Sequence, residues 1–251
     1  MEGRVIFGVS NKVATISFYH PQSNSLPGEI LRKLASTISE AGKNNDVNVI
    51  VLKSQGDRAF CAGASFDELA SINDLESGKR FFMGFANVIN ACRKCPKPII
   101  GRVQGKAVGG GVGLAAAVDY CLATKHSAVK LSELAVGIGP FVVGPAVERK
   151  IGLSAFSQMS LQPATWYDAK CALEHGLYAG VFDSIETLDA EVAALAQQLA
   201  GYSPEAASEL KKVFWQGTDH WDDLLEKRAE ISGKLVLSDF TKNAIADFKK
   251  K

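Results

Sequence analysis

The sequence predicts an α/β fold closed by a C-terminal layer of helices, and three observations predict it. Short β-branched runs alternate with amphipathic stretches from the N-terminus onward. A Gly109-Gly110-Gly111 run joins an apolar run, residues 99–108, to a small-residue helical stretch, residues 112–118. The last third of the chain is almost wholly helical in pattern.

The elements follow in order. Residues 5–10 and 13–19 read as strands around the turn residues Asn11 and Lys12. Residues 27–42 carry Ile30, Leu31, Leu34 and Ile38 at helical spacing. Residues 47–53 form a buried strand by composition, and the polar turn 54–58 leads into Phe60-Cys61-Ala62-Gly63-Ala64-Ser65-Phe66. Residues 77–93 are amphipathic, with Phe81, Phe82, Phe85, Val88 and Ile89 on one side. Pro96 and Pro98 stop that helix, and a strand starts at Ile99. Residues 120–124 and 128–131 are short strand candidates, and helices alternate with turns from Pro145 on. Residues 188–200, 204–213 and 219–237 are the C-terminal helices. No long linker or repeat interrupts the chain. A core over residues 1–187 and a helical region over 188–251 are therefore expected to form one domain.

Composition narrows the function. A hydrophobic content of 47% and a charged content of 22% are ordinary for a globular protein. A net charge of +1 gives no reason to expect a nucleic acid or an acidic surface as partner. The Lys249-Lys250-Lys251 end reads as a solvated tail. No apolar run approaches the roughly 20 residues that span a bilayer, and Met1-Glu2-Gly3-Arg4 does not open a signal peptide. The expected address is the cytoplasm, with no membrane partner. Five cysteines without framework spacing argue against a disulfide scaffold. Cys92 and Cys95 form a C-x-x-C, but at the end of a helical stretch, where the helix dipole does not activate a thiol. The scattered His20, His126, His175 and His220 supply no zinc set, so no metal is expected.

The glycine run is the most informative feature. Glycines there let a ligand approach bare peptide N–H groups, and the helix that follows favours negative charge at its start. Such a junction binds a phosphate or stabilises an oxyanion that develops during a reaction. The spacing is wrong for a dinucleotide fingerprint, and neither a phosphate-binding G-x-x-x-x-G-K loop nor a G-x-S-x-G elbow occurs. A second glycine turn, Ala62-Gly63-Ala64, also follows a buried strand. If the two meet, each can give one N–H to a single oxygen, which suits a carbonyl becoming an enolate. Two tight turns chosen for packing are the plainer reading.

These motifs together resemble the crotonase superfamily of enoyl-CoA hydratases and isomerases over nearly the full chain. The resemblance rests on residues 13–17, 51–53 and 60–64, on Pro96-Lys97-Pro98-Ile99-Ile100-Gly101, and on Gly105 through Gly111 with Asp119 beyond. It implies a crotonase fold of repeated ββα units with a C-terminal helical trimerisation region. It implies that the N–H groups of Ala64 and Gly110 form an oxyanion hole for a CoA thioester. It also places Ala62, Ser65 and Phe66 along the CoA moiety. Coenzyme A then enters as part of the substrate, with no permanently bound cofactor, and the protein is expected to be a homotrimer or hexamer.

Two-carboxylate hydratases of this family carry one Glu on the glycine-run helix and one on the following loop. Here the first position is Gly113 and the second is Glu133. A lone Glu on a loop is usually solvated, but Val129, Leu131, Leu134, Ala135 and Val136 flank this one. Burial there would raise its pKa toward neutrality. One acid/base group suffices to move a double bond, whereas adding water is easiest with two. Gly137-Ile138-Gly139-Pro140-Phe141 also resembles the corresponding segment of mitochondrial-type Δ3,Δ2-enoyl-CoA isomerases, which lack the first Glu as well. Isomerisation of a 3-enoyl-CoA by Glu133 is therefore the expected reaction. Hydration, for example of a branched substrate such as methylglutaconyl-CoA, is the alternative, with a water where Gly113 leaves space. A non-catalytic acyl-CoA-binding or RNA-binding scaffold and a decarboxylase are further readings. Three departures from the family pattern stand out. Ser65 replaces the usual acidic residue, which puts the local loop hydrogen bonding in question; Asp67 replaces a common Lys, and Lys242-Asn243 a common Glu-Gly. The apolar stripe Leu224, Leu225, Ile231, Leu235, Leu237 is compatible with trimer packing or with an internal core.

Overall fold

The chain opens with a hairpin, strands β1 (Arg4–Ser10) and β2 (Val13–Tyr19), in a computed structural model that describes residues 3–249. Its turn residues Asn11 and Lys12 both have positive φ, 50° and 63°, the geometry that matches the twist of two adjacent strands. Helix α1 (Gly28–Lys43) follows, then β3 (Val49–Ser54) and β4 (Ala59–Cys61), α2 (Phe66–Ser71) and α3 (Leu75–Lys94). Next come β5 (Ile99–Val103), β6 (Lys106–Val108) and α4 (Gly110–Ala117). Strands β7 (Tyr120–Thr124) and β8 (Ala128–Lys130) lead through a 3-10 turn, Glu133–Val136, to α5 (Gly144–Leu161). The remainder is β9 (Tyr167–Asp168), α6 (Ala169–Glu174), β10 (Gly180–Phe182), α7 (Ile185–Ala200), α8 (Pro204–Phe214), α9 (Trp221–Leu235) and α10 (Asp239–Lys249).

The strands form a six-stranded sheet, ordered β1-β2-β3-β5-β7-β10, and a four-stranded sheet, ordered β4-β6-β8-β9. After the β1/β2 hairpin, whose strands both lie in the large sheet, the pairs β3/β4, β5/β6 and β7/β8 each send their first strand to the large sheet and their second to the small one. Apart from the β1/β2 hairpin the large sheet is parallel, so β3 and β5 are covered on both faces and read as continuous apolar runs.

The strand expected from Ile99 is β5, and the apolar run 99–108 continues past it into β6, a strand of the other sheet. The corner between them is Gln104-Gly105. A Cβ on Gly105 would lie 1.6 Å from the Arg58 carbonyl oxygen, so only glycine passes there. Buried Gln104 satisfies the corner: its Nε2 donates to Ser54 Oγ at 2.8 Å and to the Ala59 carbonyl at 3.1 Å.

One apolar core extends from Ala14 on β2 to Ala229 on α9, so the C-terminal helices share it. Helix α9 crosses α3 closely; a Cβ on Gly78 would come within 3.0 Å of the Gly233 Cα. Leu225 is buried and Leu224 packs on the core within the chain, whereas Ile231 is exposed. The C-terminal stripe thus serves mainly the internal core. Strands β9 and β10 and helices α6 and α10 are additions to the sequence reading. Lys250 and Lys251 of the basic tail, and Met1 and Glu2, lie outside the described residues, and no helix among those described is long and apolar enough to cross a membrane.

Candidate active site

The two glycine turns touch. Gly63 follows β4 with φ +93°, and a Cβ there would lie 3.1 Å from the Val108 carbonyl oxygen and 3.8 Å from the Gly110 nitrogen. Strand pairing between β4 and β6 brings both strand ends to this place. On the far side, Leu26 pairs with Ala64 as a parallel bridge: the Leu26 N–H donates to Gly63 O at 2.8 Å, and the Ser65 N–H donates to Leu26 O at 3.0 Å. Ser25 Oγ donates to Ala64 O at 2.7 Å. That pattern uses the groups flanking Ala64 and turns its own N–H the other way. Among the described residues, neither the Ala64 N–H nor the Gly110 N–H has a protein acceptor.

Each glycine of the run accepts a close neighbour. Gly109 has φ +51° and donates its N–H to Lys130 O at 2.8 Å, which binds the end of β6 to β8. Cβ atoms on Gly110 and Gly111 would meet the Phe85 ring at 2.3 Å and the Cys61 carbonyl oxygen at 2.4 Å. The helix that begins here, α4, is buried throughout and carries no charge in its first turn. Its leading N–H groups are therefore the local source of positive potential.

Glu133 stands at the start of the 3-10 turn after β8. Its Oε1 would lie 2.8 Å from a Cβ on Gly109, so the carboxyl group rests on the bare glycine backbone. Its Oε2 is buried and lacks a hydrogen-bond partner among the described residues. Burial pushes the carboxyl pKa up from 4.5 to about 7, partly opposed by a hydrogen bond from its own backbone. Leu134 and Ala135, two of the apolar flanks, are exposed. The glycine turn covers this carboxyl group rather than those neighbours.

The expected open space beside Gly113 is absent. A Cβ on Gly113 would lie 2.5 Å from Val143 Cγ1 and 2.8 Å from Val143 Cβ. Val143 is buried and occupies the place that a side chain at position 113 would take. Ser65 serves the local structure: it is buried, and its Oγ accepts the Glu68 N–H at 3.3 Å, capping α2. Glu68 in turn accepts the Gly28 N–H at 2.8 Å, so the loop retains its hydrogen bonds without the family's acidic residue. Ala62 donates its N–H to Ser23 O at 3.2 Å. Phe66 is half-buried and packs in a small apolar cluster with Leu69, Ile138, Val236 and Ile245. Asp67 is exposed and accepts from Gln22 Nε2.

Other residues that shape the site gave little signal. Phe85 and Val143 fall within the two segments, residues 69–85 and 141–147, that the sequence marks as shaping the pocket, but side-chain identity alone does not say which glycine each would cover. Behind α4, Asp119 gathers the fold: its Oδ2 accepts the Ile99 N–H at 2.8 Å and pairs with Lys211 Nζ at 2.8 Å. Its Oδ1 accepts Trp215 Nε1–H at 2.9 Å. Both charged side chains are buried, at 7% and 3% exposure, so α8 is locked to the strand ends that precede and follow α4. Cys92 and Cys95 are free and buried, and burial pushes the Cys92 thiol up to about 12, the reverse of an activated thiol.

This arrangement can do two things chemically. Its unclaimed N–H groups can polarise a carbonyl oxygen, and a carboxyl group poised near neutrality can take and return a proton. Residues 8–249 match the model of a family described as enoyl-CoA hydratase/isomerase. The chain is 27% identical over 252 residues to a probable enoyl-CoA hydratase of Bacillus subtilis, covering 98% of this chain and 96% of that one. It is 26% identical over 239 residues to a peroxisomal Δ(3,5)-Δ(2,4)-dienoyl-CoA isomerase of Arabidopsis thaliana, covering 89% and 84%. The crystal structure of an enoyl-CoA hydratase from Bacillus halodurans superposes with a TM-score of 0.89 at 20% identity, covering 97% of this chain and 99% of that one.

Proposed function

The chain belongs to the enoyl-CoA hydratase/isomerase family, within the crotonase superfamily, and from that premise we propose that it isomerises Δ3-enoyl-CoA thioesters to Δ2-enoyl-CoA. The observation that carries this reading is the buried carboxyl oxygen of Glu133 over Gly109, without a hydrogen-bond partner among the described residues, with Val143 in the space beside Gly113. The thioester carbonyl oxygen lies between the Ala64 and Gly110 N–H groups. Glu133, as carboxylate, takes a proton from C2. The C2–H electrons shift toward the carbonyl carbon, and the oxygen gains charge as a dienolate held by the two N–H groups. Electrons then return from that oxygen, the C2=C3 bond forms, and the terminal carbon of the old double bond, C4, takes the proton back from Glu133. One group does both transfers because its pKa of about 7 lets it hold and release a proton at working pH.

Coenzyme A comes and goes with the substrate, and Ala62 and Phe66 lie along its path. Exposed apolar side chains on α5 and α8, including Leu153, Leu161, Val213 and Phe214, favour association of copies into a homotrimer or hexamer. The test is to give purified protein 3-enoyl-CoA and 2-enoyl-CoA separately. Conversion of the first to a conjugated thioester, with slow hydration of the second, is expected. Rapid hydration of the 2-enoyl ester without isomerisation rejects the proposal.

A further inference from the structure

We propose that Val143 is the specificity-determining residue that keeps the reaction an isomerisation, by excluding water from the space beside Gly113. This inference rests on the isomerase reading above and assigns its outcome to one side chain. Gly113 donates its N–H to Gly109 O at 3.2 Å, so the two glycines stand one turn apart at the start of α4. The Glu133 carboxyl covers the first, and Val143 covers the second at 2.5 Å from where a Cβ would stand. Val143 is 4% exposed, and its neighbours Val142 and Gly144 are buried with it. A hydrocarbon wall therefore stands one turn along α4 from the glycine that the acid/base group covers.

The chemistry follows from that wall. Glu133 Oε2 is a buried acceptor with no partner among the described residues, which is the polar anchor an ordered water would seek. A water held there could be deprotonated by Glu133 and add to C3 of the Δ2 product, the C2=C3 electrons passing to the carbonyl oxygen as an enolate that then takes the proton from Glu133 at C2. With Val143 in place, the proton that Glu133 has taken can return only to the substrate. Truncating Val143 to Ala removes two methyl groups, a volume comparable to the ~30 Å³ share of one liquid water, one helical turn from the glycine on which that anchor rests.

The test runs 3-enoyl-CoA through the wild-type protein, Val143→Ala and Val142→Ala in D2O. Deuterium at C4 of the product is read by mass spectrometry, and hydration of 2-enoyl-CoA is read by loss of the conjugated thioester absorbance. Wild type is expected to return mostly the substrate's own protium. Val143→Ala is expected to wash in several times more deuterium and to hydrate about tenfold faster, below the 10²–10⁴ of a complete general-base system because only one carboxyl group works. Val142→Ala, which empties a similar volume one residue away, is expected to do neither.

The inference is overturned if wild type already incorporates deuterium freely, a result that needs no variant to fold. It is overturned equally if a folded, still-isomerising Val143→Ala matches wild type in both readouts, or if Val142→Ala shows the same gains. Failure of the isomerase reading looks different: wild type would then hydrate 2-enoyl-CoA and leave 3-enoyl-CoA unconverted.

Discussion

Replacing Glu133 with Gln isolates the charge that the glycine turn covers. The wild-type carboxyl rises from 4.5 to about 7 on folding, which corresponds to about 3 kcal/mol between its protonated and ionised forms. The sign follows from proton binding. Between pH 4.5 and about 7 the folded protein holds a proton that the unfolded chain has released, so stability from this group falls as pH rises. Below pH 4.5 both states are protonated and the penalty vanishes; above pH 7 both are ionised and it is complete. The amide of the variant cannot ionise. Urea unfolding of both proteins from pH 4 to 8.5 should therefore show the variant gaining on wild type by about 3 kcal/mol across that range. Any fixed cost of the amide, such as an unpaired N–H, shifts the whole curve and drops out of the difference. Turnover of 3-enoyl-CoA should be lost in the same variant while thioester binding persists. A stability difference that stays flat with pH would refute the placement of this carboxyl group in a dry site.

Two further perturbations test the supports of the site. Gly109→Ala places a methyl 2.8 Å from Glu133 Oε1 at a φ of +51°; displacing the carboxyl by about 1 Å should lower kcat/KM by about 100-fold, measured with 3-enoyl-CoA, with circular dichroism confirming the fold. Lys211→Met leaves buried Asp119 without its cation and should cost about 3–5 kcal/mol in urea unfolding. Adding Asp119→Asn should restore part of that loss, since the remaining group carries no charge; a double variant no more stable than the single would contradict the pairing.

Much of the scaffold was legible because local patterns and burial agree. The helix of Ile30, Leu31, Leu34 and Ile38, the parallel strands rich in Val and Ile, and the Asn11-Lys12 turn all follow from period and turn chemistry. Short pieces escaped for an equally physical reason. Strand β9 has two residues and β10 three, too few to show alternation, and they exist because partner strands offer free edges. The break of the 99–108 run at Gly105 depends on Arg58, far away in sequence. Ser65 shows the same limit in the other direction. Its departure from the family pattern left the loop in question, and a cap on α2 together with the Glu68 contact to Gly28 supplies what was missing.

Composition and spacing make this chain an α/β protein whose glycine turns follow strands, and these are local properties. Glu133 becomes the candidate acid/base group through the resemblance to the crotonase superfamily, which matches it position by position. It takes the packed fold to bring the turns of Gly63 and Gly110 into contact, to leave Oε2 of Glu133 without a partner among the described residues, and to set Val143 in the space beside Gly113. Each of these depends on atoms distant in the chain competing for one volume, and no local pattern encodes which of them fills it.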